Sequence, residues 1–151
     1  MNKKLFLVVV TLVWGAVCAG GAAAQDKPEV LVKQRQAVMT LQGKYFGPLM
    51  AMAQGKIPYN AEIAARNAAY LNVLDKMPWD GFVPGTKDMK SRALPAVFTD
   101  TAKFKQAQEQ LQEAVAKLVA VKSGNEGAAK AAITEVGKAC GSCHDNFRQK
   151  N

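Results

Sequence analysis

The chain has 151 residues, 49% of them hydrophobic, and 20 Lys and Arg against 12 Asp and Glu give a formal net charge of +8. The basic residues are scattered and no aromatic–basic motif accompanies them, which argues against a nucleic-acid-binding protein. With the amino-terminal segment discussed next removed, the remaining length fits one domain.

The amino-terminal residues are typical of a secretory signal peptide. Two lysines in residues 1–4 precede an apolar run over residues 5–17, and Ala22, Ala23 and Ala24 supply the small residues of a cleavage site. The run is shorter than the ~20 residues of a membrane span, so no span is expected after signal removal. Lipid attachment at Cys18 is an alternative that the neighbouring residues fit poorly. The sequence predicts a signal peptide over residues 1–24 and a mature domain over residues 25–151.

Signal removal would take away two lysines and no acid. The mature domain then has 18 Lys and Arg against 12 acids, a net charge of +6. We interpret this as a solvated basic surface that can steer acidic redox partners.

The mature domain shows almost no strand pattern and four segments with helical spacing of apolar residues. They begin near Pro28, Asn60, Asp100 and Asn125. A Pro- and Gly-rich linker over residues 77–99 separates the second from the third. The sequence therefore predicts an all-α fold, an antiparallel four-helix bundle.

Gly and Pro residues mark the predicted ends of these helical segments. The first ends at the Gly47-Pro48 pair or continues to Gln54, and the third ends at Ser123-Gly124. Large apolar residues spaced three or four positions apart mark the helix faces that we expect to pack inward. On the first segment these are Leu31, Val38, Leu41, Tyr45 and Leu49. On the second they are Ile63, Ala64, Tyr70, Leu71 and Leu74.

The last segment contains Cys140-Gly141-Ser142-Cys143-His144, the spacing of covalent c-type haem attachment. On a helix, positions i, i+3 and i+4 share a face, so both thiols and the imidazole point the same way. Each sulfur can form a thioether to one haem vinyl group, and His144, the only histidine in the chain, can bind the iron. Phe147 falls on the same face and can pack on the ring edge. The segment is rich in alanine, so we expect the cofactor to fill the space between helices.

Two other interpretations of the cysteine pair fit less well. A zinc site needs four ligands, and the mature domain offers only two Cys and one His near each other. A thioredoxin-like dithiol follows a strand, whereas a helical pattern leads into Cys140. A c-type haem is attached outside the bacterial cytoplasmic membrane, so export to the periplasm agrees with the haem interpretation.

The sixth iron position has no second histidine to fill it, so it is empty or holds water, lysine or methionine. The methionine candidates are Met39, Met50, Met52, Met77 and Met89. Arg35 and Met39 lie four residues apart and share a helix face. If that face meets the haem, Arg35 can pair with a propionate and Met39 can lie over the iron. Otherwise Met39 is a core side chain and Arg35 a surface residue.

The sequence resembles the cytochrome c′ family, the class II c-type cytochromes that include low-spin members of the cytochrome c-556 type. The resemblance rests on the C-terminal CGSCH and on three further patterns: Arg35-Gln36-x-x-Met39, Trp79-x-x-Phe82-x-Pro84-Gly85-Thr86, and Phe98 followed by Phe104. It covers essentially all of residues 27–150. It implies a periplasmic four-helix bundle with one covalent haem c, assembled as a homodimer.

The resemblance also implies roles for single residues. Arg35 and Gln36 correspond to haem-contact positions, and Arg148 to a basic residue one turn beyond the ligand His144. A polar contact from the linker is expected as well, with Arg92 as its candidate. The residue above the iron corresponds to Met39, which is an iron ligand in the low-spin members.

The function predicted from these residues is electron transfer by a periplasmic monohaem cytochrome with a five-coordinate haem that binds NO and CO. The alternative is a six-coordinate, low-spin electron carrier with Met39 as the sixth ligand. An enzymatic role is not expected, because a peroxidase-like haem needs a distal acid–base residue and the chain has no distal histidine.

Overall fold

The computed structural model describes residues 26–122 and 124–150. Five α-helices follow one another along the described chain: α1 (Pro28–Ala53), α2 (Ala61–Leu74), α3 (Ala96–Thr99), α4 (Thr101–Val119) and α5 (Glu126–Phe147). The linker between α2 and α4 also contains 3₁₀ turns at Trp79–Gly81 and Pro84–Thr86. The predicted signal peptide, including Cys18, lies outside the described residues.

The four long helices form a closed ring, in which α1 packs against α2 and α5, and α4 packs against the same two helices. This is the predicted antiparallel four-helix bundle. All four helices contribute to its buried core, which includes Leu49, Met52, Leu71, Leu111, Val115, Leu118, Ile133 and Val136. Within the described ranges, no helix is both long and apolar enough to cross a membrane.

The four predicted helix starts are confirmed. Three of these helices have a side-chain cap, whereas α1 begins at Pro28 without one. The Oδ1 atoms of Asn60 and Asn125 accept hydrogen bonds from the backbone N–H of Ile63 at 2.9 Å and of Ala128 at 3.0 Å. Asp100 caps α4 in the same way. A cap satisfies one of the backbone donors that a helix leaves unpaired at its first turn, which fixes where the helix begins.

Of the two ends predicted for the first helix, the later one is confirmed. α1 continues through Pro48, although a proline inside a helix removes one hydrogen bond and costs about 3 kcal/mol. Two side chains beyond Pro48, those of Leu49 and Met52, are fully buried in the core. Burial of large apolar side chains stabilises by about 1.5–3 kcal/mol each, enough to offset the cost of the proline.

Three predictions about the bundle are wrong. α4 ends at Val119 and not at Ser123-Gly124; the chain reverses through Gly124, whose φ of 86° suits glycine. Leu41 and Tyr70, assigned to the inner faces, are 40% and 44% exposed. Tyr70 packs instead against the ring of Tyr45 near the surface, with 4.7 Å between ring centroids and the two rings tilted by 54°. Periodicity cannot separate the centre of an apolar stripe from its edge.

The linker lies against α1 because Arg35 and Gly81 fit together. Arg35 is only 3% exposed, and its Nη1 donates to the carbonyl oxygen of Gly81 and, at 2.8 Å, to Oγ1 of Thr86. A side chain at position 81 would begin 2.8 Å from Cβ of Arg35 and 2.9 Å from the carbonyl oxygen of Leu31. Only glycine allows the linker backbone to approach α1 this closely.

We predict that Gly81→Ala lowers the free energy of unfolding by roughly 1–3 kcal/mol, because the added methyl group would overlap α1 backbone. Chemical denaturation followed by far-UV circular dichroism measures this. Gly85→Ala is the matched control in the same linker, since its Cβ would meet Pro28 at an ordinary 3.8 Å. Equal stability of the two variants would show that the linker does not depend on the close contact at Gly81.

Candidate functional site

A cavity of about 570 Å³ opens inside the bundle, between α1, α5 and the linker. Its wall is mainly apolar and includes side chains from every long helix. Aromatic rings line one part of it: Phe104 packs edge-on against Phe147, Phe82 and Trp79, with centroid distances of 5.2, 5.0 and 5.8 Å. The cavity can therefore hold a large, flat, mostly apolar group.

The last turns of α5 carry both cysteines and the histidine to the wall of this cavity. Cys140, Cys143 and His144 are all half-buried and all line it, and both thiols are free. The helical spacing of the motif thus produces the shared face that the sequence predicted. Phe147, one turn further, is buried against the same cavity.

Burial favours the neutral forms of these three groups. It raises the pKa of the Cys140 thiol to about 11, with a further contribution from Cys143, and it also raises the pKa of Cys143. The pKa of His144 is lowered by burial first and by the positive charges of Arg148 and Arg92 second. A neutral imidazole offers a nitrogen lone pair, which is the form that binds a metal.

The residues fit a haem c better than a directly bound metal ion. Across residues 26–122 and 124–150, no group of three or more His, Cys, Asp or Glu side chains is placed to hold an ion. Two free thiols and one imidazole beside an apolar cavity are instead the groups needed for two thioether bonds and one axial iron ligand. The two thiols, the imidazole and the shape of the cavity all fit a haem c.

Three predicted contact residues lie on one stretch of α1, and all three line the cavity: Arg35, Gln36 and Met39. Arg35 is buried, which rules out the alternative of a surface residue, and burial lowers its pKa. Besides its bonds to Gly81 and Thr86 it donates from Nη2 to Oγ of Ser91 at 3.0 Å, and its Cζ lies 4.4 Å from the ring centroid of Phe82. Much of its hydrogen-bonding capacity therefore holds the linker in place.

Met39 is set apart from the other candidate methionines. It is half-buried and lines the cavity, and none of the other four candidates does so. Met52 is fully buried in the core, Met77 is 54% exposed, and Met50 packs in the space that Gly137 leaves open on α5. The choice between an iron-bound and a packed Met39 stays open.

Arg92 and Arg148 both line the cavity near His144 and are exposed. They belong to two chain segments that pair: Ala93 and Arg148 form an isolated antiparallel bridge. Arg92 donates from Nη2 to the carbonyl oxygen of Gln149 at 2.7 Å. The linker candidate for a polar haem contact thus lies on the histidine side, and the contact itself stays a prediction.

Asp75 is a cavity residue that the sequence analysis missed. It follows α2 directly, is only 1% exposed and lines the cavity. The available signal was its position four residues after Leu71, which places it on the inner face of the helix. A charged residue directly after an apolar helix is typical of a helix end, so the sequence pattern did not indicate that Asp75 belongs to the site.

Known proteins are similar to this chain in both sequence and fold. The chain matches the family described as Cytochrome C′ over residues 30–148. Cytochrome c′ from Rubrivivax gelatinosus is 44% identical over 127 residues, which cover 83% of this chain and 98% of the relative. Its crystal structure superposes with a TM-score of 0.78, covering 82% of this chain and 98% of that one.

Cytochrome c prime from Alcaligenes xylosoxidans is also similar. A nitric oxide complex of one variant has a TM-score of 0.76 and 37% identity, covering 83% of this chain and 98% of that one. A carbon monoxide-bound variant has a TM-score of 0.75 and 38% identity, covering 82% and 98%. Agreement over almost the whole length of these proteins shows that the chain belongs to the cytochrome c′ family and, like its members, carries a covalently attached haem c.

Proposed function

We propose that this protein is a periplasmic monohaem cytochrome that transfers single electrons and binds NO and CO at an open iron position. The observation that carries the proposal is the placement of Cys140, Cys143 and His144 together on the wall of one apolar cavity. When bound, the haem supplies an iron that changes its charge by one electron and can accept a diatomic ligand.

The chain's own residues hold and orient that group. Cys140 and Cys143 would hold the haem by thioether bonds: each thiol would add across one vinyl group, with sulfur bonding to one carbon and the thiol hydrogen going to the other. His144 offers its neutral imidazole to the iron, and the aromatic rings of Phe104 and Phe147 exclude water from the wall they form. Since Arg35 is engaged with the linker, few donors are left to face the cavity from α1.

An apolar cavity with few hydrogen-bond donors favours NO and CO over O₂, because bound O₂ becomes polar and gains most from a donor. The nitric oxide and carbon monoxide complexes of the Alcaligenes relative support the same assignment for this chain. The second candidate function is a six-coordinate electron carrier with Met39 bound to the iron. The position of Met39 in the cavity wall favours it over any other methionine.

The remaining parts of the proposal rest on the sequence. The signal-peptide pattern of residues 1–24 supports export to the periplasm, and the basic mature domain supports redox partners with acidic surfaces. Exposed Val73 and Met77, close in sequence to Tyr70, agree with a homodimer. We infer an electron carrier and not an enzyme, since the only histidine is assigned to the iron and no second one can act as a distal acid–base group.

We predict that the haem stays with the polypeptide in acidified acetone, because two thioether bonds hold it. In the double variant Cys140→Ser, Cys143→Ser the haem should move into the acetone phase, as measured by absorbance, and the polypeptide should lose the mass of one haem. Ser142→Ala, between the two cysteines, is the control and should keep the haem. Free extraction from the unmodified protein would disprove covalent attachment.

We predict that the reduced protein is high-spin and binds CO readily, and that Met39→Ala preserves this spectrum while opening the site to faster CO binding. Absorption spectra and stopped-flow mixing with CO measure both. Met89→Ala is the control, because Met89 lies in the linker and does not line the cavity. A low-spin reduced spectrum that Met39→Ala converts to high-spin would instead establish the six-coordinate carrier.

A further inference from the structure

The carboxyl group of Asp75 is buried without a partner. Its residue is 1% exposed, and neither Oδ1 nor Oδ2 has a hydrogen-bond donor within the described part of the chain. The backbone around it is well held: the carbonyl oxygen of Asp75 accepts from Nε1 of Trp79 at 2.5 Å and from Nε2 of Gln112 at 3.4 Å. The backbone of Asp75 is thus fixed beside the cavity, and both of its carboxyl oxygens are covered from solvent.

Three physical effects oppose a negative charge at this position. The side chain is removed from water, no N–H or O–H group donates to it, and it follows the C-terminus of α2, the negative end of the helix dipole. Burial raises the pKa of Asp75 to about 6, and the positive charge of its neighbour Lys76 opposes the rise. The carboxyl group therefore changes its protonation at a higher pH than an ordinary aspartate, within reach of a pH titration of the folded protein.

The other charged and titratable groups of the cavity wall come from three regions and none pairs with Asp75. α1 contributes Arg35, which is bonded to the linker, and the linker contributes Arg92, which is bonded to Gln149. α5 and the residue after it contribute the groups of the attachment site and a basic residue: Cys140, Cys143, His144 and Arg148. α4 contributes only apolar side chains, which are Phe104, Leu111 and Val115. Among the described residues that line the cavity, Asp75 is the single acid.

We propose that Asp75 is a proton-binding site coupled to the oxidation state of the haem iron, an inference that rests on the proposed electron-transfer function. When one electron from a redox partner reduces the ferric iron to ferrous, the carboxylate of Asp75 takes one proton from water and becomes a carboxylic acid. Oxidation returns the electron to a partner and the proton to water, so charge and atoms balance in both directions.

The direction of the coupling follows from Coulomb's law. The ferric haem carries one more positive charge than the ferrous haem, and a positive charge in the same cavity favours the carboxylate form of Asp75. Reduction removes that charge and raises the pKa of Asp75. The reduction potential therefore falls as the pH rises from the pKa of Asp75 in the oxidised protein to its pKa in the reduced protein. The total fall is 59 mV for each tenfold difference between the two proton dissociation constants of Asp75.

Protein-film voltammetry of the haem-loaded protein from about pH 5 to about pH 8, a window around the raised pKa of the carboxyl group, tests this. We expect a potential that declines with pH in the unmodified protein. In Asp75→Asn, which mimics the neutral carboxylic acid, the potential should stay near the acid value and lie above that of the unmodified protein at the alkaline end. Asp80→Asn is the matched control: it removes the same charge from an exposed position five residues away and should keep the decline.

Lys76→Gln provides a second variant at an exposed position that leaves the carboxyl group in place. Loss of the lysine charge should move the declining part of the curve to higher pH, because Lys76 lowers the pKa of Asp75. Infrared difference spectra between oxidised and reduced protein should also show a carboxylic-acid carbonyl band on reduction that is absent in Asp75→Asn.

The outcomes separate this inference from the function on which it rests. A potential independent of pH, or the same decline in Asp75→Asn as in the control, would overturn the coupling and leave the cytochrome function intact; the haem propionates would then account for any decline. Absence of a reversible one-electron signal in the unmodified protein would overturn the electron-transfer function itself.

Discussion

The site depends on the hydrogen bonds of one buried guanidinium. Arg35 connects α1 to three points of the linker, at Gly81, Thr86 and Ser91, in a region where apolar side chains alone give little direction to an irregular backbone. A guanidinium has five N–H donors in a fixed plane, so it can bind several carbonyl and hydroxyl groups at once. These bonds set the position of the linker, and the linker forms one wall of the haem cavity.

A second constraint is the composition of α5. Its buried residues in the bundle centre are Ala129, Ile133 and Val136, of which only two are large, and Gly137 leaves room for Met50 of α1. Close approach of α1 and α5 at this level contrasts with the open cavity one turn later, where the cysteines and the histidine lie. The cofactor supplies there the apolar surface that side chains provide elsewhere in the core.

The sequence was sufficient for the four long helices, their starts and the shared face of Cys140, Cys143 and His144, because each of these depends on neighbours within one or two turns. Asn60 and Asn125 cap the next turn, and Cys140, Cys143 and His144 share a face by spacing alone. The linker contacts of Arg35 and Arg92 join residues about fifty positions apart, and no local pattern encodes them. The unpaired state of Asp75 was equally hidden, because it is defined by donors that neighbouring elements do not provide.

The residues proposed for haem attachment and those proposed for the ligand side of the iron occupy different helices. Cys140, Cys143 and His144 lie on α5, whereas Arg35, Gln36 and Met39 lie on α1. Under the proposed function, a substitution of Met39 on α1 would change the space beside the iron and leave the attachment groups on α5 unaltered. On the same proposal, ligand affinity and cofactor attachment would depend on different helices and could therefore vary independently.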